Sequence, residues 1–196
     1  MLVAGVVLAA WASTRLGEPK QLLAYRESTI LGTTLDTARK CGFAQLIVTL
    51  GRAAEQIRAS VDLSGCQVVE NLEYATGCAS SLGAAIGVVD TGVNGLVLML
   101  GDQPEVTEAA VRSLVQGTKH ARLGICRYDD ARGHPFWFSR ELFDELSNLH
   151  GDKAVWKALE SGHFDVVEVR QPGAVPLDVD TWDDYASILA QAASTR

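Results

Sequence analysis

The sequence lacks a long apolar run: no hydrophobic stretch reaches the roughly 18 residues that a membrane-spanning helix needs. We therefore expect no membrane segment, and the first residues show no basic stretch of the kind that opens a signal peptide. An excess of positive charge is also lacking, because 17 Lys and Arg stand against 24 Asp and Glu, a net charge of −7. This balance argues against general binding to nucleic acid or to an acidic membrane.

Cysteine is scarce, with four residues in the whole chain. The four cysteines form no C-x-x-C pair, which argues against a zinc site or a disulfide framework and favours a reducing cytoplasm. Linkers, repeats and low-complexity segments are missing as well. A chain of 196 residues with 47% apolar and 21% charged residues is then most simply one globular domain over residues 1–196.

Short apolar runs alternate with helical patterns along the chain. Strands are predicted at Val3–Ala9, Gln45–Leu50, Gln67–Glu70, Leu96–Leu100, Leu123–Arg127, Pro135–Phe138 and Val166–Val169. Helices are predicted at Ile30–Lys40, Arg52–Val61, Ser80–Val89, Thr107–Thr118, Arg140–Leu149, Ala154–Ser161 and Thr181–Ala193. Continuous apolar strands indicate a sheet covered on both faces, so we expect an α/β fold, a three-layer α/β/α sandwich with a Rossmann-like, mostly parallel sheet. Ligands of such sheets bind beyond the carboxyl ends of the strands.

The most informative stretch is the first strand and its loop, VVLAAWASTRLGEPKQLL over residues 6–23. The loop carries two cations, Arg15 and Lys20, which suit phosphate oxygens as a two-pronged donor and a point charge. Gly17 permits close backbone approach, and Ser13 offers a hydroxyl and an N–H. No Walker or dinucleotide motif is present. The alternative is an exposed loop whose charges are incidental.

This stretch resembles the nucleotide-binding signature of the MobA-like nucleotidyltransferases, L-A-A-G-x-S-x-R-M-G-x-x-K-x-L-L. The matching residues are Leu8, Ala9, Ala10, Ser13, Arg15, Gly17, Lys20, Leu22 and Leu23. Leu16 replaces the Met of the signature, and Trp11 replaces its first Gly. An indole at this position either re-routes a loop that still binds nucleotide or impairs triphosphate binding, and we expect a weakened but retained site.

Two acidic segments suggest a metal site. Asp102 follows an apolar strand in the run L-G-D-Q-P, where a carboxylate is well placed for Mg²⁺; in the family this Asp ligates the catalytic metal. Asp178 and Asp180 stand in a segment similar to the family's D-I-D-T, and in an extended chain they point to the same side. Both are candidates for a second metal carboxylate or for contacts to the acceptor. The alternatives are a turn cap at Asp102 and an N-cap of the last helix at Asp180 or Thr181.

Further segments match the family's E-N…G-x-x-S-S, G-H-P and G-D-[RK]-G-A-R patterns. The first places Asn71, Ser80 and Ser81 at the nucleotide, although both serines can equally be helix caps. The other two place His134 and Asp152 at the acceptor, although a His before Pro is more often a structural hydrogen-bonding residue. Trp156 stands where the third of these patterns has Arg.

The resemblance is closest to the molybdenum cofactor cytidylyltransferases and implies the nucleotide-diphospho-sugar transferase type of fold. It implies transfer of CMP from CTP to a phosphorylated acceptor of the molybdopterin type, with pyrophosphate released and Mg²⁺ or Mn²⁺ as cofactor. A molybdoenzyme or a maturation protein is the implied partner. The implied catalytic residues are Arg15, Lys20 and Asp102. The implied binding residues are Leu8, Ala9, Ala10, Ser13, Gly17, Asn71, Ser80 and Ser81 for nucleotide, His134, Asp152 and Asp180 for acceptor, and Asp102 and Asp178 for metal.

Two other functions stay open at this point. A scaffold of this kind can serve an NAD(P)H-dependent reductase of heterocycles, since small members of the family are sometimes described so. It can also serve a non-catalytic cofactor-binding protein, which the tryptophans at positions 11 and 156 favour.

Overall fold

The computed structural model describes residues 1–11, 13, 15–151, 154–160, 162 and 164–194. The strands are β1 (Val3–Ala9), β2 (Ala24–Tyr25), β3 (Ser28–Thr29), β4 (Gln45–Leu50), β5 (Gln67–Glu70), β6 (Gly95–Leu100), β7 (Leu123–Arg127), β8 (Arg132–Ser139) and β9 (Val166–Arg170). The helices are α1 (Ile30–Lys40), α2 (Ala54–Ser60), α3 (Cys78–Ile86), α4 (Glu108–Gly117), α5 (Phe143–Ser147), α6 (Ala154–Glu160) and α7 (Trp182–Ser194). Short 3₁₀ turns lie at Lys20–Leu22, Tyr74–Thr76 and Arg140–Leu142.

Within the described residues, seven strands form one sheet in the order β5-β4-β1-β6-β8-β7-β9. Neighbouring strands are parallel except at β8, which pairs antiparallel with both β6 and β7. The carboxyl ends of the parallel strands therefore share one edge, and β8 begins at that same edge because it runs the other way. The loops that follow β1, β4, β5, β6 and β9 all leave from this edge.

Helices cover both faces of the sheet. Alternate residues of β1 divide between the faces: Val7 packs with α1, α2 and α4, whereas Val6 packs with α3, α5 and α6. A third cluster joins α7 to the hairpin β2–β3, where Tyr25 is fully buried against Ile188 and Val179. The expected three-layer α/β/α sandwich with a mostly parallel sheet is confirmed.

Most predicted elements are present, with shifts at their ends. β1, β4, β5, β7 and α1 have the predicted bounds, and Thr107 is the N-cap of α4, its hydroxyl accepting from the N–H of Ala110 at 3.1 Å. The segment 140–149 begins as a 3₁₀ turn before α5, and α3 starts two residues earlier than predicted. The hairpin β2–β3 was not predicted, because two-residue strands carry no readable periodicity.

In the described part of the chain, no helix is long and apolar enough to cross a membrane.

Candidate functional site

A cleft of about 530 Å³ opens at the carboxyl edge of the sheet. It is lined by the loop after β1, the turn after β6, the start of β8, helix α6 and the segment that leads into α7. Beside the cleft, the chain after β4 packs closely against the end of β1: a Cβ added to Gly51 would lie 2.3 Å from the carbonyl oxygen of Ala10. The predicted residues that line this cleft are Ser13, Arg15, Lys20, Asp102, His134, Asp178 and Asp180.

The centre of the cleft is a chain of ion pairs. The ammonium of Lys20 donates to Asp102 Oδ2 at 2.5 Å and to Asp180 Oδ1 at 2.7 Å. Arg15 donates to the other oxygen of Asp180 at 3.0 Å. Lys20 is only 3% exposed and Asp102 only 4%, whereas the side chain of Arg15 is 67% exposed. The cations predicted for phosphate binding and the aspartate predicted for metal binding therefore lie together, with one cation buried and the other facing solvent.

Charge and burial oppose each other in this cluster. Burial alone would lower the pKa of Lys20, but the attraction of Asp102 and the hydrogen bonds to both aspartates leave that pKa above its ordinary value. Burial raises the pKa of Asp102, and the ammonium works against this rise. Burial alone would raise the pKa of Asp180, but Lys20 and Arg15 outweigh this effect and hold the pKa of that carboxyl below its usual range. The ammonium is thus held as a cation between two carboxylates.

Asp102 has an unused oxygen. Its Oδ1 is buried and has no hydrogen-bond partner among the described residues, which is costly for a carboxylate unless a cation or a ligand completes it. In the described part of the chain, no three His, Cys, Asp or Glu side chains are grouped so that they could hold a metal ion. A divalent cation here would thus have one or two protein carboxylates and otherwise phosphate and water oxygens, as Mg²⁺ prefers. These residues fit such a metal.

The second acidic segment is fixed by the residue between its two aspartates. Val179 is fully buried, and its N–H donates to the carbonyl of Asp102 at 3.3 Å. Both neighbouring aspartates consequently line the cleft, as the two-residue spacing predicted. Burial and the negative charge of Asp102 raise the pKa of Asp178 to about 6. Asp180 already forms ion pairs with Arg15 and Lys20. Asp178 is therefore the freer of the two carboxylates to bind a metal ion.

The predicted N-cap of the last helix is made without the Asp180 carboxylate. Asp184 Oδ2 accepts from the N–H of Asp180 and from both the N–H and the hydroxyl of Thr181, and Thr181 accepts in return from the N–H of Asp184. This reciprocal cap leaves the Asp180 side chain to the ion pairs.

Gln103 is a residue of the site that the sequence did not reveal. Its amide donates to Asp178 Oδ1 at 2.7 Å and to the carbonyl of Pro176 at 3.1 Å, so it ties the turn after β6 to the segment before α7. The only sequence signal was its position directly after Asp102.

Trp11 lies in the cleft and does not point away from it. Its ring lies 5.2 Å from the ammonium of Lys20, and its backbone carbonyl accepts from Gln21 at 3.3 Å. The indole also lines a second hollow of about 670 Å³, formed with Gly17, Arg52 and residues of α2. Trp11 thus stands between two hollows, each bounded in part by the loop after β1.

An aromatic wall closes the far side of the cleft. The imidazole of His134 stacks on Phe136 with ring centroids 3.9 Å apart, and Trp156 stands perpendicular to both. His134 is at the site because β8 begins at the carboxyl edge. Burial lowers the pKa of His134 to about 3, so the ring is neutral at physiological pH.

The other predicted residues lie apart from this cleft. Leu8, Ala9 and Ala10 are buried in and after β1, and the carbonyl of Ala9 accepts from Gln21 at 2.9 Å. The amide of Asn71 donates to the hydroxyls of Ser80 and Ser81 at 2.8 and 3.0 Å, so these three residues form one hydrogen-bonded cluster at the first turn of α3. Gly17 lines the second hollow. Asp152, predicted at the acceptor, lies outside the described residues.

A model of the MobA-like NTP transferase domain matches residues 5–167. The chain belongs to this family. The fold is the nucleotide-diphospho-sugar transferase type that the resemblance implied.

Two relatives of this chain have different activities. Nicotine blue oxidoreductase of Paenarthrobacter nicotinovorans is 31% identical over 159 residues, 76% of this chain and 78% of that protein. Molybdenum cofactor cytidylyltransferase of Escherichia coli K12 is 26% identical over 180 residues, 92% of both. Membership of the MobA-like family is therefore compatible with more than one chemistry.

Solved structures resemble the whole chain. A crystal structure of Rv0371c from Mycobacterium tuberculosis H37Rv has a TM-score of 0.92 and 53% identity, and covers 97% of this chain and 98% of that one. Another crystal structure, of Rv0371c in complex with manganese, has a TM-score of 0.87 and 50% identity, and covers 97% and 99%.

Trp11→Gly restores the glycine of the MobA-like signature, and we expect it to tighten nucleoside triphosphate binding about fivefold, or ~1 kcal/mol. Removal of the indole should join the two hollows and leave more room for the nucleotide. It also removes the cation–π contact between the Trp11 ring and the ammonium of Lys20. Titration calorimetry with each nucleoside triphosphate measures the effect, and Trp11→Phe should give an intermediate affinity. Unchanged affinity in Trp11→Gly would mean that the indole does not obstruct the site.

His134→Phe should flatten the acid dependence of stability. The folded protein protonates His134 only near pH 3, whereas an ordinary histidine takes up a proton near pH 6.5, so the unfolded state binds more protons between these values. This difference lowers the unfolding free energy by up to about 1.4 kcal/mol per pH unit as the pH falls through that window. Urea unfolding at pH 6.5, 5.5 and 4.5 measures the slope. The exposed-site control His120→Gln should keep the wild-type slope, and an equal slope in His134→Phe would contradict the assignment.

Proposed function

We propose that this protein is a divalent-metal-dependent nucleotidyltransferase that moves CMP from CTP to a phosphorylated acceptor such as molybdopterin cofactor, releasing pyrophosphate. One observation carries the proposal: Arg15, Lys20 and Asp102 line a single cleft at the carboxyl edge of the sheet, where Asp102 keeps a buried, unpartnered oxygen. Family membership supports a nucleoside triphosphate as substrate. The choice of CMP and of molybdopterin rests on the relationship to the Escherichia coli cytidylyltransferase.

The reaction needs no covalent enzyme intermediate. A phosphate oxygen of the acceptor attacks the α-phosphorus of CTP and forms a new P–O bond. The bond from that phosphorus to the bridging oxygen breaks, and pyrophosphate leaves with the electron pair. The protein must position two anions in line and neutralise their charge. Arg15 and Lys20 do this for the triphosphate and for the departing pyrophosphate, and Ser13 fixes Lys20 by accepting its N–H at 3.0 Å.

Asp102 and Asp178 would hold Mg²⁺ or Mn²⁺, which supplies Lewis-acid polarisation of the α-phosphate. Asp178 suits this role because only Gln103 donates to it among the described side chains. Manganese in the Rv0371c complex supports a divalent metal for this chain as well.

The acceptor is placed against the aromatic wall. His134 presents a neutral ring beside Phe136 and Trp156, and Asp180 lies at the cleft's mouth with Arg15. We also propose that Asp152 contacts the acceptor, on the basis of the family pattern alone. We assign nucleotide binding to the backbone of Leu8–Ala10, to Gly17, and to the cluster of Asn71, Ser80 and Ser81.

The test is pyrophosphate release with CTP, GTP and ATP in turn, each with Mg²⁺ or Mn²⁺ and with or without molybdopterin cofactor. We expect release with CTP that needs both the metal and the acceptor. A first screen by thermal shift ranks the nucleotides, because a ligand that binds only the native state raises its apparent stability. Absence of pyrophosphate with every nucleotide and acceptor would overturn the proposal.

A reductase acting on a heteroaromatic compound is a second candidate, favoured by the 31% identity with nicotine blue oxidoreductase. Loss of NADH or NADPH absorbance with such an acceptor, without pyrophosphate release, would support it.

We treat residues 1–196 as one domain working in the cytoplasm, with a molybdoenzyme or maturation protein as partner. The scattered cysteines favour a reducing compartment.

A further inference from the structure

Lys20 lies between two carboxylates of the cleft, beside the oxygen of Asp102 at which a divalent cation would bind. Its ammonium contacts Asp102 at 2.5 Å and Asp180 at 2.7 Å, and its side chain is 4% exposed. A buried lysine is uncommon, and this one is paired with two carboxylates. Two cations, Arg15 and Lys20, pair with the aspartates at 102 and 180.

A metal ion and this ammonium compete for the same carboxylate. The two oxygens of Asp102 belong to one small group, so a divalent ion on Oδ1 would lie close to the ammonium on Oδ2. Repulsion between cations grows as their separation shrinks, and burial leaves little water to screen it. Binding of one cation at Asp102 therefore disfavours the other.

The side chain of Lys20 can move while its backbone stays in place. The backbone N–H donates to Ser13, and the residue begins the 3₁₀ turn 20–22, so the chain is fixed locally. The four-carbon stem is flexible, and an ammonium has no required direction of approach. The cleft beside it is open and reaches Arg15, which is exposed.

We propose that Lys20 is a resident counter-ion of Asp102 that opposes metal binding until an incoming polyphosphate draws its ammonium away. The inference rests on the proposed function and adds a regulation of its metal site: metal and polyphosphate bind with positive coupling. By linkage, each raises the affinity for the other by the same factor. The free protein then binds divalent metal weakly, and the loaded site forms only with substrate present.

Direct binding of Mn²⁺ tests the competition without any turnover. Electron paramagnetic resonance of free Mn²⁺ gives its affinity for wild type, Lys20→Met, Arg15→Met and the double variant Lys20→Met/Asp102→Asn. We expect Lys20→Met to bind Mn²⁺ at least about tenfold more tightly than wild type, and Arg15→Met to differ by less than about threefold. The double variant should lose the gain.

The matched Arg15→Met variant separates competition from general electrostatics, because it removes one positive charge from the same cleft without vacating Asp102. Equal or weaker Mn²⁺ binding by Lys20→Met would overturn the inference. So would a gain in Arg15→Met that equals the gain in Lys20→Met.

A second measurement uses the wild-type protein, in case Lys20→Met does not fold. Acetic anhydride labels accessible amines, and peptide mass spectrometry reads each lysine. Labelling of Lys20 should rise at least about threefold at saturating Mn²⁺, while the exposed Lys40 and Lys119 stay constant. Unchanged protection of Lys20 would contradict the displacement. Failure of cytidylyl transfer is distinguishable, since it removes pyrophosphate release and leaves both of these results in place.

Discussion

Asp102→Asn is expected to lower metal-dependent pyrophosphate release by about 10³-fold, equivalent to ~4 kcal/mol of transition-state stabilisation. The amide keeps the shape of the carboxylate but removes the negative charge that would hold the metal. It also takes one anionic partner from the buried Lys20, whose remaining partner is Asp180. Because that second partner persists, we expect the variant to fold, with a loss of about 1–3 kcal/mol in unfolding free energy.

Asp165→Asn is the matched control, since Asp165 is exposed and lies before β9. It should retain wild-type turnover and stability. Urea unfolding of both variants separates a catalytic loss from a folding loss. If Asp102→Asn kept full activity, Asp102 would be removed from the metal site.

Lys20→Met is expected to lower kcat/KM for the nucleoside triphosphate by about 100-fold, or ~2.7 kcal/mol, even though we expect the same change to tighten Mn²⁺ binding. The variant loses the buried cation that would neutralise the polyphosphate. Tighter metal binding cannot replace it, since an interaction made equally in ground and transition states does not accelerate the chemical step. We therefore expect Lys20→Met to raise the affinity for Mn²⁺ and to lower kcat/KM.

Lys119→Met, at an exposed position after α4, controls for the loss of one lysine and should leave kcat/KM unchanged. Lys20→Arg tests geometry: it keeps the charge, but its planar fork does not fit a point between two carboxylates, so we expect only partial recovery. Wild-type kcat/KM in Lys20→Met would show that the lysine is structural.

The sheet could be predicted because its strands are continuous apolar runs flanked by turn residues. β1 and β4 have the predicted bounds for this reason. The placement of Arg15 and Asp102 in one cleft follows from the same pattern, since both come after parallel strands whose ends share an edge. The spacing of Asp178 and Asp180 correctly predicted that both side chains face one way.

Burial of individual charges could not be predicted from the sequence. Lys20 reads as a loop cation facing solvent, and only the packing of the 3₁₀ turn against Asp102 encloses it. The role of Gln103 depends on a contact with Asp178, 75 positions away, that no local pattern encodes. The hairpin β2–β3 was missed although it buries Tyr25 beneath the acidic segment.

A crystal structure with Mn²⁺ and a CTP analogue, in which a methylene group replaces the α–β bridging oxygen, tests the central claim most directly. The anomalous signal of manganese should lie on Asp102, with the phosphates of the analogue against Arg15 and the ammonium of Lys20 moved toward them. Manganese away from Asp102, or phosphates bound outside this cleft, would contradict the account.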